Sequence, residues 1–261
     1  MQAIDMESGL HIALAAERVG TLWGIPITNT LVAEWVVMAL LIITAVIVGR
    51  NPKLIPGRVQ NFFELIFDFL IDYMAQILGN RKLAIRFFPL IVTVFLFIAF
   101  SNLFDFLPIM GALVVHHAGE TVPLLRPVNT DLNVTLALAI IAVFSIEISG
   151  IVLLGFWRYG SKFFNFTSPL NFVVGIIEFI SELSRFISFS FRLFGNIFAG
   201  EVLLAVAGFF MPYVLPVPLM AFETFVGVVQ AAVFAMLMLF FIKLAIAEPH
   251  GSHSEAHAEA H

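Results

Sequence analysis

Hydrophobic positions along the chain form runs that are long enough to cross a lipid bilayer. A helix needs about 20 apolar residues to span the hydrocarbon core. Five runs reach this length, at 31–48, 87–107, 132–156, 171–210 and 218–247. The pattern therefore predicts an all-α integral membrane protein with about five membrane-embedded helices.

The segment between the first two runs has a different pattern. Between Arg58 and Asn80, Glu64, Asp68 and Asp72 recur every four residues, which places three carboxylates on one helix face opposite apolar side chains. An amphipathic helix with one charged face is typical of the membrane interface. We therefore expect an interfacial helix here, with its acidic face in water.

The fourth run is too long for a simple span. A helix of about 40 residues extends roughly 60 Å, about twice the thickness of the hydrocarbon core. Tilts average about 20° and rarely exceed about 40°. The run is therefore expected to be broken, to protrude into water or to lie at an extreme tilt. Gly195, Gly200 and Gly208 are the positions at which it could bend.

The distribution of Lys and Arg predicts the orientation of the chain. The connection after the first run contains six of these residues, the next contains only Arg126, and the third contains Arg158 and Lys162. We therefore expect the first and third connections in the cytoplasm. The N-terminus is then outside and the C-terminus inside.

Composition and charge are those of a lipid-embedded chain. Hydrophobic residues make up 61% of the sequence and charged residues 12%, against roughly half and a quarter in soluble domains. The net charge is −5 with no basic stripe, which argues against nucleic acid as a partner. We divide the chain into an N-terminal arm (1–29), a membrane domain (30–247) and a polar tail (248–261).

Charged and amide side chains interrupt the fourth run. A charge at the bilayer centre costs about 2.5–3.5 kcal/mol on insertion scales and is a candidate functional residue. Arg192 lies among apolar residues, and because its guanidinium does not deprotonate it needs water or an anion. Ser188, Arg192 and Asn196 are four residues apart and share a face, whereas Glu201 points the opposite way.

Further polar residues accompany these. Glu178 and Glu182 precede the Arg192 stripe on the same run. In the last run, Glu223 and Gln230 are seven residues apart and share a face. The pattern predicts a fixed cation beside a separate hydrophilic path.

Residues 191–201 read F-R-L-F-G-N-I-F-A-G-E. They resemble the R-L-F-G-N-x-x-A-G-E signature of the subunit a family of F-type ATP synthases. Residues 129–135, N-T-D-L-N-V-T, resemble the D-x-N segment that opens the family's third span, and Glu223 and Gln230 match polar positions of its last helix. The resemblance covers roughly 30–247 in the family's order. Many relatives have histidine where this chain has Glu223.

The resemblance implies a mechanism. The last two helices would form a nearly membrane-parallel hairpin against a rotating ring of c subunits. Arg192 would face the ring carboxylates and separate two offset aqueous half-channels. The outer half-channel would be lined by carboxylates and amides, namely Glu201, Glu223, Gln230, Asn196, Asp131 and Asn133. Ser188 matches a position of the cytoplasmic half-channel, with Glu178 and Glu182 towards it.

The resemblance also implies partners and an ion. The partners are the c-ring, the b subunits of the peripheral stalk, the remainder of the F0F1 complex and the lipid bilayer. H⁺ is favoured over Na⁺ as the transported ion, and no cofactor or metal is expected. The chain has no G-x-x-x-x-G-K-[ST] loop, so neither nucleotide binding nor catalysis on its own is expected. A bacterial inner membrane is the expected location, with the mitochondrial inner membrane as the alternative.

Other interpretations concern the whole chain and some of its residues. A stand-alone ion channel or secondary transporter is the alternative function, although the internal repeats typical of such transporters are not found here. His116 and His117 are interpreted as part of a plain polar loop, and the His-containing tail as a disordered end. Glu34 and Glu147 are each as well explained by packing as by function.

Overall fold

The computed structural model of the chain describes residues 16–22, 25–50, 57–105, 113–117, 120–160, 169–212 and 214–247. Seven α-helices lie in these ranges: α1 (Asn29–Gly49), α2 (Arg58–Leu78), α3 (Arg81–Phe104), α4 (Leu132–Leu154), α5 (Phe156–Gly160), α6 (Pro169–Phe210) and α7 (Pro216–Ile246). Of these, α1, α3, α4, α6 and α7 are long and apolar enough to span a membrane. The prediction of an all-α membrane protein with five spans is confirmed.

Two of the predicted spans have different boundaries in the structure. Helix α3 begins at Arg81, six residues before the predicted start, so that Pro89 lies inside the helix on an exposed face. The early start has a local cause, because the Asn80 side chain accepts a hydrogen bond from the Lys82 backbone N–H at 2.8 Å and caps the helix. Helix α4 ends at Leu154, where Gly155 has a positive φ of 87°.

Helix α6 is one unbroken helix of 42 residues. Of the three alternatives expected for this run, a break is excluded, since Gly195, Gly200 and Gly208 are all helical. A continuous helix of this length extends about 60 Å, twice the hydrocarbon thickness. Helix α6 therefore crosses the bilayer obliquely or protrudes from it at one end.

Helix α2 has the predicted amphipathic character. Glu64, Asp68 and Asp72 are exposed along one face, while Leu70 and Met74 are buried on the other, where the helix packs against α3. Gly79 ends the helix in a left-handed conformation with φ 68°, which glycine adopts without strain. The connection to α3 is therefore a tight turn that holds the two helices together.

Helix α7 is central to the packing because it contacts α2, α3, α4 and α6. Its residues Phe234, Met238 and Leu239 are almost fully buried. The Phe234 ring packs against Phe189 of α6 with centroids 4.7 Å apart. Apolar side chains at this contact hold α6 against α7 and leave the opposite face of α6 exposed.

Two antiparallel β-hairpins interrupt the otherwise helical chain. Strands β1 (Arg18–Leu22) and β2 (Ile25–Thr28) precede α1, and strands β3 (Val114–His117) and β4 (Glu120–Pro123) follow α3. The interpretation of His116 and His117 as part of a plain loop is wrong in this respect, since both lie in β3. The polar tail, 248–261, lies outside the described residues.

Candidate functional site

Arg192 lies on the exposed face of α6. Its Nη2 donates a hydrogen bond to the Ser188 hydroxyl one turn earlier at 3.0 Å. Within the described part of the chain, it pairs with no carboxylate. The adjacent Leu193 is fully buried, so the helix turns its apolar side to the protein and this cation outward. Arg192 is therefore positioned to meet an anion that the described chain does not supply.

A crevice of about 530 Å³ runs along α6 and ends at Arg192. We call it the Arg192 crevice. Three hydroxyl groups line it, those of Ser181, Ser184 and Ser188, and α7 contributes Leu237 and Phe241. The predicted residue Ser188 thus contacts both the crevice and Arg192. Serine hydroxyls can donate and accept hydrogen bonds, which suits a water-filled path.

Arg185 also lines the Arg192 crevice, but it has carboxylate partners. Its Nη1 lies 2.6 Å from Glu182 Oε1 and its Nη2 3.8 Å from Glu178 Oε1. The guanidinium carbon lies 4.7 Å from the centroid of the Phe241 ring, a cation–π distance. The two predicted path residues Glu178 and Glu182 are therefore brought together around one fixed cation.

A second polar region forms where α6 and α7 meet the segment that precedes α4. Glu223 is only 7% exposed, and its carboxylate lies directly against Gly200 of α6, where a Cβ would overlap it. Glu201 is half-buried, with Oε2 4.0 Å from Nη2 of the buried Arg126. The structure thus brings the two predicted carboxylates into one place. We call Glu201, Glu223, Arg126 and Asp105 the outer cluster.

Asp105, at the C-terminal end of α3, completes the outer cluster. Its Oδ1 accepts a hydrogen bond from the Val128 backbone N–H at 3.2 Å. Burial raises the pKa of Asp105 well above its usual value; the Val128 hydrogen bond opposes this, and the charges of Glu201 and Glu223 raise the pKa further. A carboxyl group with a raised pKa can bind and release a proton closer to neutral pH.

Buried amides connect the helices around this cluster. The Asn129 side chain donates to Asn102 Oδ1 at 2.6 Å, and Asn102 donates to the Gly227 carbonyl at 2.7 Å. A Cβ at Gly227 would lie 2.9 Å from the Asn102 Cβ, so glycine permits this close approach. Polar residues from α3, α7 and the segment before α4 are thereby held together.

Several buried polar atoms of α6, α7, the end of α3 and the segment before α4 have no hydrogen-bond partner among the described residues. They belong to Asp105, Asn129, Asn196, Glu201, Glu223 and Gln230. Buried polar groups are normally satisfied by protein or by water. Such a concentration indicates a hydratable region rather than a dry core. The predicted Asn196 and Gln230 share this property with the carboxylates.

Asp131 and Asn133 have a structural environment that the sequence did not indicate. Asp131 is the N-cap of α4, and its Oδ1 accepts hydrogen bonds from the backbone and the side chain of Asn133 at 2.9 and 3.0 Å. Its Oδ2 accepts one from Thr30 at the start of α1 at 3.0 Å. Both oxygens therefore stabilise the junction of α1 and α4, and a part in the ion path stays a prediction.

Sequence reasoning missed Asp105, Asn102 and Asn129, and it placed Arg126 only in the connection between the second and third runs. One signal was available, since Asn102 and Asp105 are polar residues inside the predicted second apolar run. No comparable signal was available for Arg126, which lies between membrane runs where a charge is expected.

The chain is similar to known proteins over most of its length. A family model described as ATP synthase A chain matches residues 31–243. The chain is 35% identical to "ATP synthase subunit a, sodium ion specific" of Propionigenium modestum, over 94% of this chain and 83% of the relative. It is 33% identical to ATP synthase subunit a of Moorella thermoacetica, over 84% and 90%. It is 36% identical to that of Gloeobacter violaceus, over 86% of each. A match that spans all five long helices, together with an arginine exposed at the signature motif, shows that this chain belongs to the ATP synthase A chain family.

Proposed function

We propose that Arg192 is the fixed charge of the ion-translocating stator, and that the Arg192 crevice and the outer cluster belong to its two half-channels. The family provides the membrane stator subunit of F-type ATP synthases, which works with a c-ring in the F0F1 complex. The observation that supports the assignment is the exposed Arg192 without a carboxylate partner in the described chain. A ring carboxylate that passes it would supply the missing anion.

The two polar regions suit the two ends of such a path. A ring carboxylate loses its proton near Arg192 because the cation stabilises the ionised form. The same cation repels a proton that would otherwise pass straight from one half-channel to the other. The outer cluster would deliver protons from one side, and the serine-lined Arg192 crevice would release them on the other. A potential of 100 mV is worth about 2.3 kcal/mol per elementary charge, which biases the direction of rotation.

The topology and the remaining partners belong to the same proposal. The chain is a multi-pass membrane protein, and the relatives named above are bacterial. We place it in a bacterial plasma membrane, with the N-terminus outside and the C-terminus in the cytoplasm, as the Lys and Arg distribution predicts. The membrane domain, 30–247, would also contact the b subunits of the peripheral stalk. Because the chain belongs to this family, the alternative of a stand-alone transporter is excluded.

H⁺ is proposed as the transported ion, although one relative is named as sodium ion specific. The carboxyl groups of the outer cluster support this choice, because carboxyl groups in a hydratable region are suited to relay protons. We expect ATP-driven acidification of inverted vesicles in sodium-free medium, at the same rate as with added Na⁺. Transport that requires Na⁺ and persists with a protonophore would contradict H⁺ coupling.

Glu201→Gln tests the outer cluster. The amide keeps the size of the side chain but cannot exchange a proton, so we expect proton flux through the membrane sector to fall about 100-fold, the lower end of what a positioned proton-transfer group contributes. The measurement is proton flux through the membrane sector after removal of the catalytic sector. Glu64→Gln, the same change on the exposed face of α2, is the matched control and should leave the flux unchanged. An unaltered flux in Glu201→Gln would remove this residue from the path.

A further inference from the structure

A second crevice lies on the side of α6 that faces α4. It has a volume of about 670 Å³, and its otherwise apolar lining contains two carboxylates, Glu147 of α4 and Glu182 of α6. Glu182 extends from there to Arg185, which lines the Arg192 crevice between α6 and α7. One ion pair thus connects the crevice that contains Glu147 with the crevice that leads to Arg192.

Helix α5 folds the chain back onto α4 at this point. Tyr159 is only 3% exposed, and its hydroxyl donates a hydrogen bond to Glu147 Oε2 at 2.8 Å. Its ring packs over Gly150, where a Cβ would overlap it. The neighbouring Trp157 is 86% exposed on the same short helix. Tyr159 therefore fixes α5 to α4 and holds Glu147.

The environment of Tyr159 keeps its hydroxyl protonated. Burial raises the pKa of Tyr159, the hydrogen bond to Glu147 and the charges of Glu147 and Glu182 raise it further, and Arg185 opposes the shift. The hydroxyl is therefore a constant donor. Glu147, Glu182 and the Arg185 cation therefore all lie within electrostatic range of the Tyr159 hydroxyl.

We propose that Tyr159 is a positioning residue for the cytoplasmic half of the ion path. By holding Glu147, it leaves Arg185 paired with Glu182 and Glu178 and so keeps the guanidinium in the wall of the Arg192 crevice. Without the hydroxyl, the Glu147 carboxylate competes for the nearby cation, because charge-assisted pairs are stronger than contacts to neutral groups. Arg185 then moves towards α4, and the path to Arg192 changes in shape and charge.

Tyr159→Phe tests the inference in the whole ATP synthase. The substitution removes only the hydroxyl and retains the ring that packs over Gly150. Loss of a hydrogen bond to a charged group changes an equilibrium by about tenfold or more, so we expect ATP-driven proton pumping to fall about tenfold. Subunit content of the purified complex should be normal. Trp157→Phe, on the exposed side of the same helix, is the matched control and should pump normally.

A double variant separates this role from a merely structural one. Glu147→Gln removes the competing charge, so Tyr159→Phe with Glu147→Gln should recover most of the pumping, and Glu147→Gln alone should be close to normal. A lost structural contact would leave the double variant at least as impaired as Tyr159→Phe.

Three results would overturn the inference: normal pumping in Tyr159→Phe, no recovery in the double variant, or a loss of assembly that Glu147→Gln does not restore. The inference rests on the proposed function, whose failure would be seen separately as coupled activity in a variant without Arg192.

Discussion

Arg192→Ala is expected to abolish both ATP synthesis and ATP-driven proton pumping while the complex still assembles. The side chain is exposed on α6, and its hydrogen bond within the described chain goes to Ser188 of the same helix. Among the described residues, its removal therefore breaks no hydrogen bond or ion pair between helices, and the fold should persist. What disappears is the cation that would stabilise the ionised ring carboxylate and repel protons between the half-channels.

The experiment compares pumping, synthesis and passive proton flux in membranes that contain equal amounts of the complex. Arg81→Ala is a suitable control, because Arg81 is an exposed cation whose salt bridge to Asp72 connects α3 to the neighbouring α2. Exposed pairs contribute only about 0–1 kcal/mol, so this variant should remain coupled. Coupled synthesis in Arg192→Ala would rule out the proposed mechanism. Loss of coupling in both variants would point instead to a general sensitivity to charge.

The spans could be predicted from the sequence because lipid imposes a length and a composition on each of them. The length of α6 alone indicated that the helix is broken, protrudes or is strongly tilted. Whether its glycines bend it could not be predicted, since a glycine permits a bend without requiring one. The β-hairpins were missed for a different reason. Their strands are only four or five residues long, and short segments outside the bilayer lack the constraint that makes spans predictable.

From helical spacing alone, the candidate site could be predicted only where one helix contains it. Ser188 and Arg192 share a face by spacing alone, and the structure places them in contact. The outer cluster, in contrast, joins residues from four segments, and the proximity of Asp105 to Glu201 depends on how α3, α6 and α7 pack. Asp131 is the opposite case. Its place in a motif indicated function, whereas in the structure its two oxygens cap α4 and accept a hydrogen bond from Thr30.

The packing of α6 against α7 explains why position 200 of the signature motif is a glycine, Gly200. The sequence suggested only a possible bend, yet the helix continues without a break through this residue. The Glu223 carboxylate occupies the space that a side chain at Gly200 would fill. A hydrogen atom at this position therefore allows a carboxylate from α7 to lie against α6, one residue before Glu201.

Gly200→Ala is accordingly expected to stop most proton translocation. The added methyl group displaces the Glu223 carboxylate from the outer cluster, and overpacking of this kind also costs about 1–3 kcal/mol of stability. We expect proton flux through the membrane sector to fall about 100-fold, as for loss of a proton-transfer group. The matched control is Gly208→Ala on the same helix, where a Cβ meets nothing within 4 Å and alanine favours the helix. Shortening the displaced side chain by Glu223→Asp in the Gly200→Ala background should return part of the flux, because the shorter carboxylate leaves room for the methyl group. Normal flux in Gly200→Ala, in a complex of normal subunit content, would show that proton transfer does not depend on the place that Glu223 occupies against α6.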